Sequence, residues 1–137
     1  MIRKAFALLG GVLATGALLA AAPAHAAGPK VYAATGEDPI SIAAYSSCPA
    51  ARSCTFNNLN GGTPYGSFAS GDGDLADSSG PRGLNNSTES VWNRTGQDWC
   101  YYDGGGFSGL IFIVGPGFQG NLDPVDRNKV SSLRICP

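Results

Sequence analysis

The residue types that do covalent or acid–base chemistry are thinly spread along this sequence. Histidine occurs once, as His25. It lies in the opening segment MIRKAFALLGGVLATGALLAAAPAHA, where Arg3 and Lys4 give a positive start and Ala5 to Ala22 an apolar run. Ala24-His25-Ala26 then supplies small residues on either side of one free position, the pattern a signal peptidase accepts. The run is diluted with Ala and Gly and ends at Pro23 rather than in a charged stop-transfer flank, which argues against a membrane anchor. Cleavage is therefore expected after Ala26, and residues 27 to 137 contain no histidine. Without one, neither a Ser-His-Asp nor a Cys-His site is available, and the commonest zinc ligand is missing. Asp72 and Asp74 are close in sequence but sit in a Gly-rich stretch, with no positioned partner to make them an acid/base pair. An enzyme is the reading these residues favour least, and no catalytic residue is assigned.

Cysteine is the one reactive type present in number. Cys48, Cys54, Cys100 and Cys136 all follow the signal segment. An even count in a small exported domain reads as two disulfides. Three pairings are open, and sequence does not choose among them. The expectation adopted is Cys48–Cys54, closing a short loop, with Cys100–Cys136 tying a middle strand to the last one. A metal-binding cluster is disfavoured, because the spacings do not form paired Cys-x-x-Cys knuckles.

Composition narrows the partners. After cleavage, seven basic residues face ten acidic ones, so the basic footprint of a nucleic-acid binder is absent. No second apolar stretch is long enough to cross a bilayer. The expectation is one secreted extracellular domain, monomeric, with neither nucleic acid nor membrane as a partner. Its organisation is a signal peptide over 1–26, an arm or one extra strand over 27–47 (around Ile40 to Tyr45), and the domain proper over 48–137.

The elements that must position any site are short β runs between Gly, Asn, Asp and Ser. The strand candidates are Arg52–Phe56, Tyr65–Ala69, Ser90–Arg94, Gln97–Tyr102, Leu110–Val114 and Ser131–Cys136. All are rich in aromatic and β-branched residues and bounded by turn formers. Leu110–Val114 is the most apolar, and is expected as a central core strand. Gly71 to Gly83 is expected as a long exposed loop. A repeat underlies the pattern. Cys54-Thr55-Phe56 opens one unit and Ser90-Val91-Trp92 closes it; Cys100-Tyr101-Tyr102 and Ser132-Leu133-Arg134 do the same for a second. Two such units of about four strands predict an all-β fold, a double Greek-key sandwich.

The second unit contains Tyr102-Asp103-Gly104-Gly105-Gly106-Phe107-Ser108-Gly109 and ends in Asn128-Lys129-Val130-Ser131-Ser132-Leu133. A folded-over hairpin needs such a pattern: the aromatics pack across the turn, and Gly109 supplies a backbone geometry closed to other residues. These stretches resemble the βγ-crystallin signature, an aromatic, four residues, Phe, one residue and Gly, followed by an N/D-N/D-x-x-S/T-S element. Tyr102, Phe107, Gly109 and Ser132 carry the match. The first unit departs from it: Phe56-Asn57-Asn58-Leu59-Asn60-Gly61-Gly62 lacks the second aromatic, and Asn85-Asn86-Ser87-Thr88-Glu89-Ser90 has Glu89 where Ser or Thr is usual. With the Cys-x5-Cys entry and Ser90-Val91-Trp92-Asn93-Arg94-Thr95-Gly96, the chain is similar to the secreted, crystallin-fold peptidase inhibitors of family thirty-six.

That resemblance implies inhibition of an extracellular protease, metalloproteinases first, by surface-loop complementarity and with no required cofactor. By its length and expected exposure, the Gly71–Leu84 loop is the best candidate for the reactive segment. There Arg82 offers a basic side chain and the Gly83–Leu84 bond a leucine of the kind thermolysin-like enzymes favour. The resemblance also implies calcium as an optional ligand, held by Asn85, Asn86 and Glu89 with Asn128 and Ser131, although Arg127 puts a positive charge in the first position of the second element. The alternative functions are therefore a calcium-binding structural module or a small secreted antimicrobial toxin of the same fold. Two further readings compete with these. Trp92, Trp99, Tyr101 and Tyr102 offer a carbohydrate platform if exposed, and Asn85, Asn86 and Asn93 each head a glycosylation sequon.

Overall fold

The computed structural model describes residues 27–35, 45–77 and 83–137. The signal segment, the strand expected around Ile40 to Tyr45 (apart from Tyr45 itself) and Arg82 lie outside the described residues. Among the described residues nine strands form in chain order: β1 (Lys30–Tyr32), β2 (Ser53–Phe56), β3 (Tyr65–Phe68), β4 (Gly71–Asp72), β5 (Ser90–Asn93), β6 (Trp99–Gly104), β7 (Ser108–Val114), β8 (Gln119–Asn121) and β9 (Ser132–Ile135), with a 3-10 turn at Leu59–Gly61 after β2. They make a four-stranded sheet in the order β3-β2-β5-β8 and a five-stranded sheet in the order β1-β7-β6-β9-β4. The first unit comprises β2 to β5 and the second β6 to β9. Each lends its third strand to the sheet of the other, so neither unit completes a sheet alone.

Alternation explains which residues meet between the sheets. Val91 of β5, Tyr101 of β6, Phe112 and Val114 of β7 and Leu133 of β9 are buried in one cluster, joined by Trp99, Leu84, Leu122 and Val130. On β2 the intervening residues Cys54 and Phe56 face the other way, into a second small cluster with Tyr45 and Cys48, flanked by Tyr65 and Trp92. Both faces of β2 are thus covered, and all four of its residues are buried. Fully burying one Phe or Val in such a place is worth about 1.5–3 kcal/mol. Cys48–Cys54 and Cys100–Cys136 are bonded as expected.

Three expectations need correction. Lys30–Tyr32 is a strand of the sheet rather than part of an arm, pairing parallel to β7 with Tyr32 buried. The stretch from Gly71 is not all exposed loop: β4 pairs with β9, and Leu75 is buried. Leu110–Val114, expected as a central core strand, lies second from the sheet edge and enters the core through one face. β7 has the edge strand β1 on one side, and only alternate residues enter the core, so Phe112 and Val114 are buried while Leu110 is 41% exposed.

Candidate functional site

The two Asn/Ser elements meet across a local pseudo-twofold arrangement. The Asn86 N–H donates to the Val130 carbonyl at 2.8 Å, and the Asn128 N–H donates to the Thr88 carbonyl at 2.9 Å. Both Asn residues adopt left-handed backbone, φ 53° and 58°, a geometry that Asn tolerates better than most residues. Their side chains face the fifth residue of the opposite element. Ser131 Oγ donates to Asn86 Oδ1 at 3.2 Å, and Asn128 Nδ2 donates to Glu89 Oε1 at 3.1 Å. Asn85 is not in this pairing; its carbonyl accepts from Ser87 Oγ at 3.0 Å. Arg127 turns away, its Nε donating to the Leu122 carbonyl at 2.8 Å.

The oxygens gathered here suit a hard cation in kind, though not in number. Calcium takes six to eight oxygens, whereas each half presents two side chains and Glu89 is the one carboxylate. The Thr88 hydroxyl, within the same element, is buried with no hydrogen-bond partner and adds an uncommitted oxygen. Among the described residues, no group of three or more His, Cys, Asp or Glu side chains is placed to hold a metal.

The expected reactive segment does not present what the sequence promised. Leu84 is fully buried in the main core, so its side chain is part of the packing and is not offered to a protease pocket. The physical reason is local: Leu84 packs against Gly66 of β3, where a Cβ would collide with it. Gly83 remains exposed, with φ +77° and open space where a side chain would stand. The aromatic platform is likewise overturned. Trp99, Tyr101 and Tyr102 are buried, and the half-buried Trp92 lies under the Arg94 guanidinium at 4.5 Å.

The hairpin of the second unit brings its aromatic, glycine and serine positions together. Tyr102 and Phe107 meet edge to face at 5.9 Å. Gly109 has φ +71°, and a Cβ there would stand 2.7 Å from Asp103 Oδ1. Ser132 Oγ accepts from the Phe107 N–H at 3.1 Å and donates to the Gly104 carbonyl at 2.6 Å. The sequence reading missed Asn93, fully buried at the link between the units. Its Nδ2 donates to the Gln97 carbonyl at 2.8 Å and the Val114 carbonyl at 3.0 Å, and its Oδ1 accepts from the Thr95 N–H at 2.9 Å. The available signal is an Asn immediately before a turn, at the end of a strand.

The sequence profile of peptidase inhibitor family I36 matches residues 41–114, more than half of the chain. The chain belongs to this family. Its solved structural neighbours are βγ-crystallin domains. A domain solved for the evolution of the eye lens βγ-crystallin fold is 17% identical, at a TM-score of 0.57 over 66% of this chain and 90% of that one. The N-terminal domain of protein S is 26% identical, at 0.53 over 63% and 96%. A βγ-crystallin from Ciona intestinalis is 22% identical, at 0.52 over 62% and 99%. No curated protein matches the I36 chain. Family and fold therefore agree with the double Greek key read from the repeat.

Proposed function

We propose that this I36 protein is a secreted, monomeric inhibitor of extracellular peptidases, with metalloproteinases as its first target class. The family match over residues 41–114 carries this reading. Two disulfides suit an oxidising compartment, in keeping with the expected signal peptide. Among the described residues no helix is long and apolar enough to cross a membrane. Inhibition by a preorganised surface needs neither a catalytic residue nor a cofactor, because the ordering cost is met on folding. The test is a titration of purified, oxidised mature protein against thermolysin-type, subtilisin-type and trypsin-type peptidases. Saturable inhibition of the thermolysin type is expected, and no inhibition of any class would sink the reading. Arg82-Gly83 stays in the proposal as a secondary contact: Arg82→Ala then weakens inhibition of a trypsin-type enzyme alone. Leu84 cannot serve as a probe of this segment, because a charge introduced there would be buried in the core.

A second reading, a calcium-stabilised module, is favoured by the crossed Asn86–Ser131 and Asn128–Glu89 pairing. It predicts that millimolar calcium raises the melting temperature through selective binding to the native state, and that Glu89→Gln abolishes the rise. An unchanged melting temperature discards it.

A further inference from the structure

Strand edges in this fold are managed unequally. The β8 edge is capped by the 3-10 turn: the Asn60 N–H donates to Asn121 Oδ1 at 2.7 Å, and Asn121 Nδ2 donates to Asn60 Oδ1 at 2.9 Å. At β3, Leu84 packs against Gly66, and the neighbouring Gly83 carbonyl accepts from Asn57 Nδ2 at 2.7 Å. The β4 edge is only two residues long. At β1, by contrast, Lys30 and Val31 are exposed, Val31 by 56%.

The hydrogen-bond parity of β1 decides what that edge offers. In a parallel ladder, alternate residues point both their N–H and their C=O at the neighbouring strand. The Gly115 N–H donates to the Tyr32 carbonyl at 2.7 Å, so Tyr32 faces β7. Val31, one residue earlier, turns its N–H and C=O outward, to an edge that no strand among the described residues covers. The strand is also held firmly. The Tyr32 ring packs against Phe112 at 5.3 Å and Phe118 at 5.2 Å. Its hydroxyl donates to Asp126 at 2.6 Å and accepts from the Asp123 N–H at 2.9 Å, and Lys30 pairs with Asp123.

We propose that the free edge of β1, centred on Val31, is the surface this inhibitor presents to its peptidase, a conclusion that rests on the inhibitor reading above. Peptidases take polypeptide in extended form, and an extended segment with outward main-chain groups is what strand addition requires. The Val31 N–H and C=O make main-chain bonds to the target's cleft, and the isopropyl group enters an apolar pocket, so the partner is a peptidase that selects apolar side chains. Among the described residues, two other exposed segments lack this geometry. The Cys48–Cys54 loop turns through Ala51 at φ 57° and commits the Arg52 carbonyl to the Arg94 N–H at 2.9 Å. Gly83 is left-handed and leads into buried Leu84.

The test uses the oxidised mature protein with Val31→Asp, Val31→Pro and, as a control on the first unit, Leu59→Asp. Proline removes an N–H that faces away from β7, so the ladder to β7 stays intact. Both Val31 variants are expected to raise the inhibition constant roughly 30-fold or more, as loss of a central anchor does, while Leu59→Asp leaves it unchanged. Hydrogen exchange on the wild type gives a reading independent of variant folding: the Val31 amide exchanges freely alone and is protected in the complex. Wild-type inhibition with folded Val31 variants of equal potency, or a Val31 amide left unprotected in the complex, overturns the edge assignment but leaves the inhibitor reading standing. A Val31-dependent dimer with unchanged inhibition also overturns it, assigning the edge to a second copy. A wild type that inhibits nothing sinks the inhibitor reading itself.

Discussion

The two Greek keys are built on one register and closed by different chemistry. In the first, Cys54, Thr55 and Phe56 lie opposite Trp92, Val91 and Ser90; in the second, Cys100, Tyr101 and Tyr102 lie opposite Arg134, Leu133 and Ser132. Each closing serine does the same work. Ser90 Oγ accepts from the Gly61 N–H at 3.0 Å and donates to the Asn58 carbonyl at 2.7 Å, matching Ser132 with Phe107 and Gly104. Gly61 therefore stands where Phe107 stands, and both are left-handed, φ 72° and 62°. The aromatic missing from the first turn is supplied instead by Tyr65, stacked on Phe56 at 5.6 Å from the paired strand. Leu110 holds that register position in the second key. A folded-over hairpin thus needs its main chain pinned by serine and its aromatic covered, and the cover can come from either side.

The disulfides differ most, and removing them gives the largest expected effects. Cys54 and Cys100 occupy equivalent positions, yet one bonds back over 6 residues and the other forward over 36. In the chain-entropy account, replacing Cys100 and Cys136 by Ser costs about 4 kcal/mol, and replacing Cys48 and Cys54 about 2 kcal/mol. Urea unfolding of the two double variants checks this. Equal losses would mean that the short loop acts through the Tyr45–Phe56–Trp92 cluster it covers rather than through chain entropy.

The serine pins come next. Ser90→Ala and Ser132→Ala each strip a partner from a loop N–H and a loop carbonyl, a cost of about 1–3 kcal/mol where the group is buried. Similar values for both, from the same unfolding curves, sustain the equivalence. A much smaller loss at Ser90 would break it and assign the first hairpin to the Phe56–Tyr65 stack. A further step moves the aromatic: Phe107→Gly removes a ring contact worth about 0.5–1.5 kcal/mol beyond its area, along with the Arg134 guanidinium lying over it at 4.6 Å. Adding Leu110→Tyr is expected to recover part of that loss, since it copies the arrangement of the first key.

The repeat was legible because its register lies in local strings. Cys54-Thr55-Phe56 and Cys100-Tyr101-Tyr102 are strand-forming triplets, each closed by a Ser-led strand, and six strand candidates fell within a residue or two of β2, β3, β5, β6, β7 and β9. The family followed from the same strings. What escaped was set by tertiary pairing. β1, β4 and β8 are three residues or fewer and carry Gly, Asp, Gln and Asn as well as apolar residues, so only a neighbouring strand makes them strands. Leu84 looked like a loop residue beside Gly and Asn, and its burial depends on a bare Gly66 eighteen positions earlier. The Asn86–Ser131 and Asn128–Glu89 crossing joins elements about forty residues apart, which spacing within either element does not reveal.

The smallest effect at neutral pH separates the two keys by titration. Tyr101 is fully buried, its hydroxyl 3.0 Å from Ser53 Oγ, and burial pushes its pKa above the ordinary 10.0. Its register counterpart, Thr55, does not titrate. A group that binds its proton more tightly when folded adds stability below its unfolded pKa and loses it as pH rises toward the folded one. Stability should therefore hold to about pH 10 and fall above it, and Tyr32, raised by burial and by the hydrogen bond to Asp126, adds to the same loss. Tyr101→Phe is expected to cost about 1 kcal/mol at pH 7 by leaving Ser53 without its partner, and to flatten the alkaline fall. Melting temperatures of wild type and variant from pH 7 to 11 measure both. Parallel curves would mean that the second key admits water to Tyr101 as it ionises, and that its interior is no drier than that of the first.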